Sequence, residues 1–445
     1  MIYRNILKLI ILLILLGLII NLFSTDYIEM SWNKPQICSK ISLSLNHDRI
    51  NENQIISKRM SNETQSKFVF HSKSMFLKSL RQYFSKSEKG NFIEYASKEK
   101  EAYLKLNLQT GYEFVDNTLG NSYNFLHFGL KFHGLLGKNI CFYGDWWKGH
   151  IGKDLNYAIE NSQVIDSWFQ YDDERTVIYL DNFKGKLLYK GKHGNLAIGN
   201  GKFKIGNNIG GSIILNDACN DYGYFSSSYD LDKLQISFIH NSILPDSLSE
   251  SHPKFIDKYL VIHKIDWLPN KKFHLFLGEE VVYGNRSMDV NYLLPFSFYR
   301  IIEHNISDRD NVLIFSGINY YSQNKAYYLN LIFDEFSKNK IFTSWWGNKY
   351  AAQVGFAYKF NFDFIERIVG EFTAIRPWIY THKFMESKFS NNKISLGFPD
   401  GSNLIQFALE ANFEVGKNIT IDVFGSYTKQ GSTGNDFSIN YEQLG

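Results

Sequence analysis

Proline is scarce in this chain, 7 in 445 residues, so few positions lack a ladder donor. Cysteine is scarcer still. Cys38, Cys141 and Cys219 form an odd set without metal-type spacing, which gives neither a disulfide framework nor a zinc site. "PQICSK" around Cys38 lacks the small residues that precede a lipid-modified cysteine, and we read this thiol as unmodified. Neither sign of charge dominates: 48 basic residues face 45 acidic ones, leaving no electrostatic case for nucleic acid as a partner. Catalytic constellations are missing as well. The 12 histidines are scattered, with no HExxH helix, no G-x-S-x-G elbow and no P-loop, so the sequence offers no catalytic residue, metal site or cofactor and reads as a non-enzyme. The glycines of "GNGKFKIGNNIGG" follow a strand but lead to no helix N-terminus, which excludes a phosphate cradle. They suit strand bending or close backbone approach instead.

Aromatic residues are abundant at 16%, with 37 Phe and 28 Tyr. Both suit strands, and membrane barrels carry aromatic girdles at both interfaces. A mean hydropathy of −0.26 is too polar for a helical membrane protein but fits a barrel with a polar interior. The pattern is plainest in residues 402–431. Ile405, Phe407, Leu409, Ala411, Phe413 and Val415 alternate with Gln406, Ala408, Glu410, Asn412 and Glu414, and after Gly-Lys-Asn the alternation resumes from Ile419 to Tyr427. Period two marks β-strands, and the short Gly-bearing connection makes a hairpin. A soluble sandwich and a transmembrane barrel both produce one apolar and one polar strand face. Runs of ten to twelve residues favour the barrel, since a tilted strand needs roughly 9–11 to cross hydrocarbon and soluble strands cluster near about 5–6.

The chain divides into three parts. Residues 1–24 read as a secretory signal, with Arg4 and Lys8 ahead of an apolar run from Leu9 to Phe23. The cleavage site is poor, and an uncleaved anchor is the rival. Residues 25–100 are polar without clean alternation. Within them Met75, Phe76, Leu80, Tyr83 and Phe84 share a helical face, so a periplasmic segment with short helices is expected. From residue 101 to 445 alternation takes over, and no helical stretch of convincing length interrupts it, against βαβ architecture.

Connections also alternate. Short ones fall at 135–139, 190–194, 230–233, 268–271, 322–325 and 415–418. Long ones fall at about 148–181, 204–221, 241–257, 284–310, 336–349 and 381–403. Sorting by length at opposite ends is what a barrel with short periplasmic turns and long outer loops produces. The fold class expected is therefore all-β: a transmembrane antiparallel β-barrel of about sixteen strands (fourteen to eighteen) in the bacterial outer membrane.

Four blocks in one order carry a family resemblance. They are "GSIILND" (Gly211–Asp217) after a glycine-rich strand end, "YLLPF" (Tyr292–Phe296), "LNLIFDEF" (Leu329–Phe336) and "GEFTAIRPWIYTH" (Gly370–His382). Together they resemble the Wzi-like capsule-assembly family in its Bacteroidota-type branch. The resemblance implies an outer-membrane barrel of eighteen strands with a helical plug on the periplasmic side, and a role in attaching capsular polysaccharide. Lipid or lipopolysaccharide, surface polysaccharide and the barrel-insertion machinery are then its partners. Some similar proteins carry a gliding-motility label. Two departures stand out: Trp378 where Tyr is usual, and a Leu-Gly C-terminus in place of the usual terminal aromatic.

Three groups of residues are candidates for a site. Trp146-Trp147 and Trp345-Trp346 map to the outer side, where their rings could stack on sugars or simply join the aromatic girdle. Glu371 and Arg376 should point to opposite strand faces. A bulge near Arg376-Pro377 would turn Arg376 into the lumen to pair with Glu371, whereas a regular strand leaves Arg376 snorkelling at the outer rim. Asp334, Glu335, Glu410, Glu414 and Asp422 are mostly lumen-directed by alternation, either to set cation preference in a channel or, as the more common structural arrangement, to pair with facing Lys or Arg.

Overall fold

The computed structural model describes residues 69–70, 93–96 and 102–434, apart from 117–119, 138, 162–168, 247–255, 308, 336–338, 341–342, 344, 361–363 and 416–418. The expectations for residues 1–24, for most of 25–100 including the helical face at 75–84, and for residues 435–445 lie outside them.

Among the described residues, sixteen strands of four residues or more follow one another: β1 (Ile93–Ala96), β2 (Ala102–Asp116), β3 (Ser122–Leu136), β4 (Ile140–Lys153), β5 (Val177–Lys190), β6 (Gly194–Gly201), β7 (Tyr222–Leu231) and β8 (Leu234–Ile243) lead into β9 (Lys258–Trp267), β10 (Phe273–Gly284), β11 (Asn311–Tyr321), β12 (Lys325–Glu335), β13 (Lys349–Lys359), β14 (Ile365–Ile375), β15 (Leu404–Val415) and β16 (Ile419–Gln430). Each pairs antiparallel with the next. Two-residue pieces at Val69–Phe70 and Gln170–Tyr171 bring the sheet to 18 strands. No ladder joins β16 to the first strands among the described residues.

The wall is built inside out. Leu108, Tyr112, Phe128, Ile198, Leu277 and Phe407 are each more than half exposed on one face. On the other face Asn330, Gln353, Thr373 and Gln406 are buried to 2% or less. Removing such an apolar side chain from water is worth about 1.5–3 kcal/mol, so a band this continuous belongs against hydrocarbon rather than water. No helix among the described residues is long and apolar enough to cross a membrane. The strands do the crossing.

The loop sorting expected from the sequence is present. Short turns join β3 to β4, β5 to β6, β7 to β8, β9 to β10, β11 to β12 and β13 to β14, while the longer connections 154–176, 202–221, 244–257, 285–310, 336–348 and 376–403 share the opposite end. The β4–β5 connection is shorter than expected, because β4 and β5 extend through 148–153 and 177–181.

The core sits inside the curl, and the long connections supply it. Ile205, Ile213, Ile214 and Leu215 from 202–221 pack with Tyr380, Phe389, Leu396 and Phe398 from 376–403 against the inward side chains of β9 to β15, among them Ile262, Phe276, Leu313, Phe315 and Leu404. On the β2–β5 side, the seven-residue helix α1 (Leu155–Asn161) lays Leu155, Tyr157 and Ala158 over Val115, Tyr123, Phe125, Ile151 and Ile178. The 202–221 connection leaves the wall between β6 and β7 yet touches β11 to β15, so it crosses the interior as a chord.

Candidate functional site

The crossing connection is fixed at its tip by one carboxylate. Glu371 points inward from β14 and accepts from the backbone N–H of Ile209 (2.9 Å) and of Gly210 (2.9 Å), and from the Tyr328 hydroxyl of β12 (2.5 Å). Three donors on two oxygens make a site for an acceptor with no hydrogen of its own. Beside it, Gln353 of β13 donates to the Gly211 carbonyl (2.7 Å) and to the Thr373 hydroxyl (3.0 Å). Its own oxygen accepts from Asn330 of β12 (3.0 Å), which also donates to the Asn207 carbonyl (2.8 Å). Asn207 in turn donates to Asn319 (2.9 Å) and to the Tyr321 hydroxyl (3.1 Å) of β11. Main-chain groups of a segment without regular structure are thereby satisfied deep inside the wall, as burial requires.

Gly211 shows why glycine stands at the tip. Its φ is +122°, and a Cβ there would lie 2.4 Å from Pro399 Cδ, so both the backbone conformation and the close approach of 376–403 exclude a side chain. Past the tip, Asn216 N–H donates to the Leu396 carbonyl (2.8 Å), and the Tyr380 hydroxyl donates to the Ile213 carbonyl (2.6 Å). Burial pushes the Tyr380 hydroxyl well above its usual pKa, keeping it a donor. The Cys219 thiol is pushed up to about 12, chiefly by burial. Two connections thus interlock across the interior at the long-loop end.

Three charge groups face the interior. Arg367 of β14 donates to Glu410 (2.6 Å) and Asn412 (2.8 Å) of β15. Asp221 is flanked by Lys184 (3.4 Å) and Lys202 (3.9 Å). Asp145 takes Lys131 (3.4 Å) and the Gln109 amide (2.6 Å). Of the acidic residues expected in the lumen, Glu410 pairs with Arg367, and Glu335 pairs with Lys349 (3.0 Å) beside a register shift. Asp334 accepts from the Tyr380 N–H (3.3 Å). The side chains of Glu414 and Asp422 lie outside the described set.

The expected Glu371–Arg376 pair does not form. β14 ends at Ile375 with its register regular to that point, and the irregularity of this strand lies at its other end, between Ile365 and Arg367. Without a bulge to turn it inward, Arg376 stays at the rim. It donates to the carbonyls of Asn348 (3.3 Å), Trp345 (3.2 Å) and Thr343 (3.5 Å), and lies 5.9 Å from the Tyr350 ring centroid. That is the rim position the regular strand predicts.

The two tryptophan pairs differ from each other. Trp146 and Trp147 sit in mid-strand on β4 rather than in an outer connection. Trp146 packs edge-on against Phe128 on the apolar outer face, whereas Trp147 turns inward against Phe125 and His127. Alternation forces this split, since adjacent strand residues leave opposite faces. Trp345 and Trp346 do lie in a long connection, rings 5.6 Å apart, with Lys340 5.0 Å from the Trp345 ring. Trp346 is 42% exposed. Arg376, through the Trp345 carbonyl, and Lys340, over the Trp345 ring, flank this pair at the long-loop end.

Sequence reasoning missed the tethers Tyr328, Asn330 and Gln353, and the inward course of 202–221. The signal available was "GNNIGG", whose glycines announce close backbone approach without saying to what.

No family model matches the chain, and no curated protein matches it. Among solved structures it is similar to Wzi of Escherichia coli, described as an outer membrane protein involved in group 1 capsule assembly and a carbohydrate-binding β-barrel. The two are 13% identical over 74% of this chain and 71% of that one, with a TM-score of 0.51. A BenF-like porin from Pseudomonas fluorescens is 11% identical over 75% and 94% at a TM-score of 0.37, and a Rhodopseudomonas blastica porin is 11% identical over 73% and 94% at 0.36. The likeness to Wzi is one of fold: this chain has the architecture of an outer-membrane β-barrel.

Proposed function

We propose that this protein is a non-enzymatic barrel of the bacterial outer membrane that helps to attach or assemble capsular or other surface polysaccharide through its long-loop end. The observation carrying the proposal is the interlocked pair of connections across the interior. A porin needs an open water-filled path. Here Ile209, Ile213, Ile214 and Leu215 are all buried to 1% or less within the curl, and Glu371, Gln353 and Asn330 tether the backbone between them. A barrel filled in this way serves better as an anchor than as a conduit. The similarity to Wzi is consistent with polysaccharide as the ligand, and the Trp345–Trp346 pair supplies aromatic faces with Lys340 and Arg376 beside them.

The test is a deletion strain scored for cell-bound against shed polysaccharide, complemented with wild type or with Trp345→Ala/Trp346→Ala. We expect shedding in the deletion, restoration by wild type, and reduced retention with the double variant. Unchanged retention in the deletion refutes the role, and lost gliding with intact polysaccharide moves the assignment to motility.

A further inference from the structure

The connection between β10 and β11 does not rise away from the barrel. It folds down over the outer, apolar face. A short 3-10 turn (Val290–Leu293) and helix α2 (Tyr299–Asn305) place Tyr292 and Tyr299 against Phe238, Val261, Val281, Tyr283 and Val312. These five wall residues share their face with Leu234, Ile265, Leu277 and Ile314, which are exposed lower on the same strands, because each pair is separated by an even number of residues.

The seam is specific. Arg286 forms two bonds to Asp310 (2.8 and 2.6 Å), closing the base of the connection, and Asp310 also accepts from the Tyr292 hydroxyl (2.7 Å). The Tyr299 ring stacks on His263 at 4.1 Å, and its backbone N–H donates to Glu279 (2.7 Å). His263 and Glu279, themselves 3.0 Å apart, stand on the outward face of β9 and β10. They are among the polar residues that a bare wall would present to hydrocarbon.

Seen from outside, the flap inverts the usual order of a surface loop. Its tyrosines are buried, while Met288, Val290, Leu294, Phe296, Phe298 and Ile301 are between 51% and 75% exposed. Such an apolar surface on a tethered segment marks contact with a non-aqueous partner. It is continuous with the exposed apolar band of the wall beneath it.

We propose that residues 286–306 form a lipid-embedded flap, whose outer face is solvated by the acyl chains of the surrounding bilayer and whose inner face seals the His263–Glu279 pair from them. This rests on the membrane-barrel reading above.

The two can be separated in one experiment. In a Cys38→Ser background, where Cys141 and Cys219 are buried, single cysteines replace Leu294, Phe296, Phe298, the wall residue Val354 or the loop residue Asp173. Each is labelled with a polarity-sensitive fluorophore, and the full chain is reconstituted into phosphatidylcholine vesicles with and without brominated acyl chains. Folding is checked by heat-modifiable gel mobility. We expect blue-shifted emission, quenched by brominated chains, at 294, 296 and 298 as at 354, and neither effect at 173. Quenching at 354 with red-shifted, unquenched emission at 294, 296 and 298 overturns the flap alone. Blue-shifted but unquenched emission at those three sites also overturns it, since protein rather than lipid then covers the face. A water-like signal at 354 overturns the barrel reading itself.

Discussion

Glu371→Gln is the sharpest perturbation of the filled interior, because the change is nearly isosteric and the donors around it are fixed. The carboxylate accepts three hydrogen bonds, two from main-chain N–H groups at 2.9 Å and one from Tyr328 at 2.5 Å. Glutamine keeps one acceptor oxygen and replaces the other with an NH2 group. Tyr328 can turn its hydrogen away and accept, but a backbone N–H cannot. One of Ile209 or Gly210 therefore faces another donor. Hydrogen bonds to a charged group contribute about 1.5–3 kcal/mol against about 0.5–1.5 kcal/mol for neutral ones, and a buried orphan costs about 1–3 kcal/mol more. Neutralising a buried charge gives some of this back. A net loss of about 3 kcal/mol in the tether raises the population with a released tip by roughly a hundredfold, at 1.4 kcal/mol per factor of ten. The assay is single-channel recording in planar bilayers, with openings per unit time compared between wild type and variant. Wild type should be nearly silent, and Glu371→Gln should flicker open far more often while its heat-modifiable gel mobility persists. Equal opening rates refute the tether, and a large steady conductance in wild type refutes the filled interior.

Other consequences follow from the same geometry. Arg367→Met removes the 2.6 Å ion pair from Glu410, whose side chain is 7% exposed, and should cost about 3–5 kcal/mol, read as a lower temperature for loss of heat-modifiable mobility; an unchanged temperature argues against the pair. Arg376→Leu should leave that temperature nearly unchanged, since its side-chain hydrogen bonds go to the 343–348 connection and its one strand neighbour is the Tyr350 ring at 5.9 Å, while protease cuts that connection faster; protection equal to wild type shows that the three carbonyl contacts do not hold the tryptophan pair. The Cys219 thiol, raised from 9.0 to about 12, keeps its proton in the folded state, so its contribution to stability is complete below pH 9 and is lost as pH rises through about 12. At pH 9 the native protein should resist alkylation at this site and react promptly once boiled in detergent; rapid native modification contradicts the interior placement of 202–221.

Alternation made most of the wall legible beforehand. Leu329 and Leu331 were separable from Asn330, and Val354 and Phe356 from Gln353, because a pleated strand offers only two faces. The length-sorted connections were legible too, since a hairpin turn and a long excursion differ in residue count alone. Two kinds of feature were not. Arg376 sits one residue beyond the end of β14, and its backbone position there is set by partners distant in the chain: its N–H donates to the Tyr350 carbonyl at 3.1 Å and its carbonyl accepts from the Asn403 N–H at 3.2 Å. The split of Trp146 from Trp147 was implicit in alternation, yet their side-by-side position invited treating them as one feature. The Trp345–Trp346 pair escaped that split because it lies in a connection, outside any pleat.

Local sequence by itself determined which residues form strands, which face of each is apolar and which end carries the long connections, because period and turn chemistry act over a few neighbours. Tertiary structure alone decided where those connections go. The 202–221 segment turns inward because Glu371, Gln353 and Asn330, over a hundred positions away in the chain, supply acceptors and donors to its main chain. The 285–310 segment turns outward because Glu279 and His263 on the opposite face of the sheet meet Tyr299. Buried polar groups must find partners wherever the fold places them, and no periodicity in the chain encodes a partner that distant.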